Sequence, residues 1–300
     1  MEDILDQYER RFACGIDREE VLACVEALPA MPKSSARVLG LIDDCNVDTE
    51  QVAEAVGSDT GLVASVLRMA NSANFAQERK VIRIDHAVGV IGLLNLKSLV
   101  MAATLRQMSQ KTTPLDKLIW RNSAATAVIA RAIATQMGRR STDDVFLLGI
   151  LHRLGQFVLL AHPRTRQAYS SVLLRIKDKN LDLADAELEQ IGFTHTLLGA
   201  LAASRWNLPG EVAQVLLRYR DPIEGVETDL DHRTAVIKLA DLAAESADLG
   251  RIEGQPPDFS RIGEAGYSLG VLPDAAEETV VNFVADCADI FASEGHLLEA

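Results

Sequence analysis

Leu148-Gly149-Ile150-Leu151-His152-Arg153-Leu154-Gly155 is the stretch on which the fold turns. It reads as a helix that ends in a glycine turn and carries His152 and Arg153. A histidine followed by an aspartate at such a point would open a metal site. Here the neighbour is arginine, whose guanidinium stays protonated and has no lone pair to offer a metal. A permanent cation therefore stands beside the histidine.

Working outward, nearly every segment has helical period and strand-like alternation is almost absent, so the chain reads as all-α. A long helix runs from Pro114 to a cap at Gly138, with Leu115, Leu118, Ile119, Thr126, Ile129, Ala130, Ile133 and Met137 on its apolar face. Asn122 falls on that face and needs a buried hydrogen-bond partner. Ser141 or Thr142 caps the helix that carries Phe146, Gly149, Ile150, His152 and Arg153, and Pro163 interrupts afterwards. Further helices are expected near 165–177, 183–191, 195–206, 209–218 and 232–247. Residues 251–273, with Pro256-Pro257 and several glycines, read as irregular. A last amphipathic helix places Val280, Val284, Cys287 and Phe291 on one face, which expects a groove on the main body, another subunit or a basic partner.

Upstream, Asp48 caps a short helix with Gln51 three residues on, and Gly57 closes it. Asp59 caps the next, where Leu62, Val63, Val66, Leu67 and Ala70 repeat at helical spacing. As a DNA-reading helix pair these two carry the wrong sign: Asp48, Glu50, Glu54 and Asp59 against Arg68. Ile84, Ala87, Val88 and Ile91 form another stripe that Gly92 ends, and Leu96, Leu99, Val100 and Ala103 continue to about Met108. Gln110-Lys111-Thr112-Thr113-Pro114 reads as a linker between two helical lobes.

Composition narrows the function classes. The chain has 300 residues, 48% of them hydrophobic and 24% charged, enough apolar material for a sizeable core. Its net charge of −13 repels polyphosphates, so nucleic acid is not an expected partner. After Arg261 there is no lysine or arginine, while Glu264, Asp274, Glu277, Glu278, Asp286, Asp289, Glu294 and Glu299 follow. Cys14, Cys24, Cys45 and Cys287 form no Cys-x-x-Cys pair, as expected of reduced thiols in a cytoplasm. Met1-Glu2-Asp3 is acidic where a signal peptide would be basic. No apolar run approaches the ~20 residues needed to span a bilayer, so neither membrane nor export is expected.

The residues that could carry chemistry are Asn122, His152, Arg153, His195, Tyr219, Arg220 and Asp241, each placed on a predicted helix. A metal site on packed helices needs neutral imidazoles and carboxylates converging from several of them. His152, His195 and Asp241 could supply ligands, but Asn122 and Arg153 stand where two more would be expected. Two like charges ~4 Å apart cost about 4 kcal/mol at an effective dielectric of about 20, enough to abolish ordinary metal affinity. Each candidate histidine also has a plain structural reading, as a satisfied core residue or a helix start. His86, His162, His232 and His296 have no spacing to the others. No Gly-x-Ser-x-Gly elbow and no glycine-rich phosphate loop occurs.

These residues are where the chain resembles the HDOD domain, a non-enzymatic relative of the HD metal-dependent phosphohydrolases, over Leu28 to Asp248. Leu28-Pro-Ala-Met-Pro32 is similar to the family's opening segment. Arg68-Met-Ala-Asn-Ser-Ala73 and Ile84 to Val100 match the next elements. Trp120-Arg-Asn-Ser corresponds to Trp-x-His-Ser, so Asn122 takes the place of the first HD histidine. Leu148–Gly155 matches the stretch with the His-Asp pair, with Arg153 in place of aspartate. Thr194-His195, Gly199 and Trp206-Asn-Leu-Pro209 match downstream segments. Tyr219-Arg220-Asp221-Pro222 falls where a His-His pair precedes Asp-Pro, and Asp241 matches the final HD aspartate.

The resemblance implies an all-α HD-like bundle. Residues 1–27 would be a helical extension, 28–110 an N-terminal helical lobe, 114–250 a degenerate HD-like lobe, and 251–300 an irregular segment with an acidic helix. It implies a stand-alone bacterial signalling or scaffold module with no catalytic or metal residue and no cofactor. Its partner would be a signalling protein, as in cyclic-di-GMP or motility control, with homo-oligomerisation left open. Two alternatives remain: a sensor binding a phosphorylated nucleotide through Arg153, Arg218 and Arg220, and a residual phosphohydrolase. Physically, Arg153 should be the central cation, held by Asp241 and by Asn122.

Overall fold

The computed structural model describes residues 1–12, 15–44, 46–72, 75, 80–108, 113–138, 142–179, 181–223, 225–254, 257–295 and 298. Cys14, Cys45, Ala73, Gln110, Lys111, Thr112, Ser141, His296 and Glu299, together with the Thr142 side chain, lie outside them. Among the described residues the regular structure is helical, with no strand.

Helices α1 (Glu2–Phe12) and α2 (Arg18–Glu26) come first, the second capped by Asp17, whose carboxylate accepts from Glu20 N. Then follow α3 (Lys33–Ile42), α4 (Thr49–Gly57), α5 (Thr60–Ala70) and α6 (Ile84–Met108), which pack on one another. Asp48 and Asp59 cap α4 and α5 through backbone N–H groups, as their positions in the sequence predict. At Gly92 the backbone leaves helical geometry with φ 77° and ψ 162°, which splits α6 where the stripe predicts an end.

The second lobe comprises α7 (Pro114–Gln136), α8 (Thr142–Leu151), α9 (Leu154–Ala161), α10 (Pro163–Lys179), α11 (Leu183–Ile191), α12 (His195–Arg205), α13 (Gly210–Arg218) and α14 (Asp229–Ser246). Reciprocal capping boxes start its two longest helices: Thr113 with Asp116 on α7, and Thr228 with Asp231 on α14. Helix α7 lies between α8 and α14, and α12 between α9 and α13. The N-terminal pair α1 and α2 packs on α12, and α2 also touches α9.

Three expectations need correction. His152, Arg153, Tyr219 and Arg220 are not on helices: α8 stops at Leu151, Arg153 is the residue before α9, with φ −92° and ψ 9°, and α13 stops at Arg218. Gly155 is therefore inside α9 rather than at a helix-ending turn. Residues 251–273 are not irregular throughout, since they contain α15 (Phe259–Ser268), capped by Asp258. Its Gly263 and Gly266 lie directly beneath Ala275 and Leu272, so they serve close packing where the sequence suggests turns. Finally, Ile84–Gln107 and Asp144–Ala161 do have the length and composition to cross a membrane. They are 67% and 83% buried inside the fold and are interrupted at Gly92 and at 152–153 respectively.

The acidic helix α16 (Glu277–Glu294) buries Val280, Val284, Cys287 and Phe291, the stripe the sequence singles out. It packs on α7, α14 and α15 of the same chain, so the groove it uses is on the main body.

Candidate functional site

The turn between α8 and α9 directs His152 and Arg153 into the interior, where α7 contributes Asn122 and α14 contributes Asp241 and Glu245. His152 Nδ1 lies 2.7 Å from Gly149 O, so that nitrogen carries the proton and donates. Its Nε2 keeps the lone pair, and Arg153 Nε donates to it at 3.1 Å. The same Nε–H donates to Asn122 Oδ1 at 2.9 Å. One terminal nitrogen donates to Asp241 Oδ1 at 2.8 Å and to Glu245 Oε1 at 2.5 Å; the other donates to Gln156 Oε1 at 3.1 Å. The guanidinium thus sits at the centre of five acceptors drawn from α7, the α8–α9 turn, α9 and α14.

Asp241 is shared. Its Oδ2 accepts from Arg220 at 3.0 Å, and Arg220 is also within 3.6 Å of Glu245 and 3.9 Å of Asp182. Burial alone would raise the Asp241 pKa, but the permanent charges of Arg153 and Arg220 pull it well below the carboxylate range. Burial likewise works against the charge on Arg153, and Asp241 and Glu245 more than offset it, holding the pKa above its ordinary value. The His152 ring goes the other way: burial lowers its pKa below 6.5 against the opposing pull of Asp241, so it stays neutral. Asn122 Nδ2 has no hydrogen-bond partner, because its amide presents oxygen to the arginine.

His195 belongs to an adjoining network. Its Nδ1 lies 2.7 Å from Glu187 Oε2 and its Nε2 2.7 Å from the Tyr219 hydroxyl. The same Glu187 oxygen accepts from His195 N at 2.7 Å, placing a carboxylate at the start of α12, where Thr194 offers no side-chain cap. The Tyr219 ring stands between the two histidines, edge-on to His152 with centroids 5.3 Å apart and 6.1 Å from His195. Gln156 Nε2 donates to the Tyr169 hydroxyl at 2.7 Å, which continues toward Glu187.

The structure therefore brings together Asn122, His152, Arg153, Tyr219, Arg220 and Asp241, with His195 one ring away behind Tyr219. Arg218 does not join them: it points outward and meets Asp231 at 3.2 Å, so Arg153, Arg218 and Arg220 do not line one pocket. Sequence reasoning missed Glu245, Gln156, Glu187 and Tyr169. Glu245 is one helical turn beyond Asp241, and Gln156 three residues beyond Arg153, spacings that could have flagged both. Among the described residues, no three His, Cys, Asp or Glu side chains converge as a metal-binding group.

The helical fold has relatives. A crystal structure of an HDOD domain protein from Geobacter sulfurreducens superposes with a TM-score of 0.73 at 24% identity, covering 100% of both chains. A protein from Marinobacter aquaeolei VT8, provisionally named a signal transduction protein, superposes with a TM-score of 0.67 at 20% identity, over 100% of this chain and 66% of that one. A protein from Shewanella amazonensis SB2B, provisionally named a phosphohydrolase, gives 0.68 at 22% identity over 93% and 97%. An uncharacterised protein of Treponema pallidum (strain Nichols) is 25% identical over 199 residues, 64% of this chain and only 37% of its own length. The family model of the HDOD domain matches residues 28–222. The chain belongs to the HDOD domain family.

Proposed function

We propose that this chain is a non-catalytic bacterial signal-transduction protein that works by presenting surfaces to partner proteins in the cytoplasm, its HD metal site having been lost. The observation that carries the reading is the seat of Arg153. A transition metal takes up lone pairs, and here the lone pairs of His152 Nε2 and Asp241 Oδ1 face guanidinium N–H groups at 3.1 and 2.8 Å. Asn122 is a poor metal ligand, and both His195 ring nitrogens are engaged, by Glu187 and Tyr219. The residues present do not fit a metal ion.

The test is elemental analysis of purified protein, with phosphatase and phosphodiesterase assays after incubation with manganese, iron or zinc. Sub-stoichiometric metal and no turnover are expected. Stoichiometric metal with metal-dependent hydrolysis would overturn the reading. The double variant Asn122→His/Arg153→Asp provides a positive control, since it should gain a melting-temperature response to Zn2+ or Mn2+ that the wild type lacks. The partner belongs to a signalling circuit, with cyclic-di-GMP or motility control the setting the family suggests. Affinity capture from native lysate identifies it.

One observation favours a sensor of phosphorylated nucleotides as a second reading. Arg220 is buried, and its Nε and one terminal nitrogen have no hydrogen-bond partner. A thermal shift with nucleotides that Arg220→Met abolishes would support this reading over the scaffold.

A further inference from the structure

Away from the Arg153 cage, a cavity of about 600 Å3 opens between the last turns of α1 and α13, the segment that follows α13, and α14. Asp231, Thr234, Ala235 and Lys238 of α14 line it, and their spacings of three and four put them on one helix face. Pro222 and Ile223 add apolar wall. Lys238 lines the cavity and is 7% exposed. Its Nζ donates to the backbone carbonyl of Asp221, and among the described residues no carboxylate is within salt-bridge distance of it. The Asp221 carboxylate pairs with Arg11, and that of Asp231 with Arg218. Lys97 is the contrast: it is also 7% exposed, but its ammonium meets Asp43 at 2.6 Å.

A buried ammonium without a counter-ion gives up its proton more readily than one in water. Burial, with Arg261 and Arg220 nearby, lowers the Lys238 pKa to about 8 against the opposing pull of Asp182 and Glu264. A desolvated lysine amine beside a cavity is a nucleophile suited to carbonyl compounds. We infer that this cavity takes a small aldehyde, which Lys238 holds as an imine. The amine nitrogen attacks the aldehyde carbon and the C=O π pair moves to oxygen. That oxygen leaves as water with the two amine hydrogens, so C=N replaces C=O. The Asp221 carbonyl orients the amine by accepting one N–H. An aldehyde suits the site because the condensation needs no leaving group, while Pro222, Ile223 and Ala235 can cover its carbon chain. Pockets for small molecules run from about 300 to about 1,000 Å3, which includes this one.

The test incubates the full chain at about pH 7.5 with benzaldehyde and sodium cyanoborohydride, which reduces an imine to a stable benzylamine, and maps the adducts by peptide mass spectrometry. Lys238 should be modified about tenfold faster than Lys97, at a rate that saturates with benzaldehyde. Thr234→Asp sets a carboxylate one helical turn from Lys238 and supplies the missing counter-ion, so labelling there should fall about tenfold as the share of free amine shrinks. Thr234→Asn, similar in size and uncharged, should label as the wild type does. Ile223→Trp should fill the cavity and slow labelling of Lys238 while leaving that of exposed Lys177 unchanged. Ile223 and Thr234 are half-buried, so circular dichroism should show native helix content in all three variants. Labelling of Lys238 no faster than of Lys97, a rate that never saturates, equal labelling of the two Thr234 variants, or undiminished labelling of Ile223→Trp would overturn the inference.

Discussion

Arg153 and Asp241 meet at 2.8 Å in the interior, each side chain 1% exposed. A carboxylate and a guanidinium both stripped of water are stable only while each satisfies the other and its remaining hydrogen-bonding groups. Here Asp241 has a second cation in Arg220, and Arg153 a second anion in Glu245. The cluster is a closed cage of acceptors around one cation, and its energetics follow from that closure.

Removing the cation should be costly. Arg153→Ala leaves Asn122, His152 and Glu245 facing an empty space and strips one partner from Asp241. Breaking a buried pair costs roughly 3–5 kcal/mol. Arg220 remains on Asp241 Oδ2, which places the expected loss near the lower end, at about 3 kcal/mol. Urea denaturation measures it, and a loss under about 1 kcal/mol would show that the cage does not hold the fold.

Acid should weaken the protein in two stages. The folded His152 pKa lies below its ordinary 6.5, so above that pH both states carry a neutral ring and the stabilising contribution is complete. As pH falls below 6.5 the unfolded ring takes a proton that the buried one refuses, and stability declines. Asp241 is depressed below its ordinary 3.8, so its share persists down to about that pH and is lost on further acidification. Urea midpoints should therefore fall between about pH 7.5 and about pH 5, and His152→Gln should flatten that slope. An unchanged slope in the variant would reassign the effect to other groups.

Helix crossing gives a sharper steric test. A Cβ on Gly155 would lie 1.7 Å from His195 O, whereas one on Gly199 would lie 3.3 Å from Gly155 N. Both glycines sit at the crossing of α9 and α12, yet only the first forbids a methyl group. Gly155→Ala should cost about 3 kcal/mol or more, since overpacking into backbone cannot be relieved by a rotamer change, and Gly199→Ala should cost under about 1 kcal/mol. Similar melting temperatures for the two variants would contradict the observed crossing.

Truncation probes the C-terminal helix. Val280, Val284, Cys287 and Phe291 are buried against the rest of the chain. Deleting residues 274–300 uncovers the surfaces of α7, α14 and α15 that α16 covers, and the shortened protein should aggregate in light scattering. A monodisperse truncated monomer would mean that the helix contributes little to the body of the fold.

Helix positions were legible because their determinants are local. Asp48 and Asp59 cap from within three residues, and the apolar stripes of α7 and α16 repeat at helical period. Local determinants also misled: Gly263 and Gly266 look like turn residues until Ala275 and Leu272 are seen above them. Asn122 could be placed on a buried face by spacing alone, but spacing could not reveal that its oxygen turns to Arg153 Nε.

Residue types alone determined that a permanently charged guanidinium stands next to His152, and that Asn122 and Arg153 occupy two places where metal ligands would be expected. Tertiary structure decided where that charge goes. The turn at 152–153 aims it inward, and α14 supplies Asp241 and Glu245 from the same face, 88 and 92 residues away in sequence. It also set Glu187 on His195 and left Arg218 outside. The physical reason is range. Caps and periodicity act within one helical turn, whereas a buried ion cage forms only when distant helices bring opposite charges together out of water.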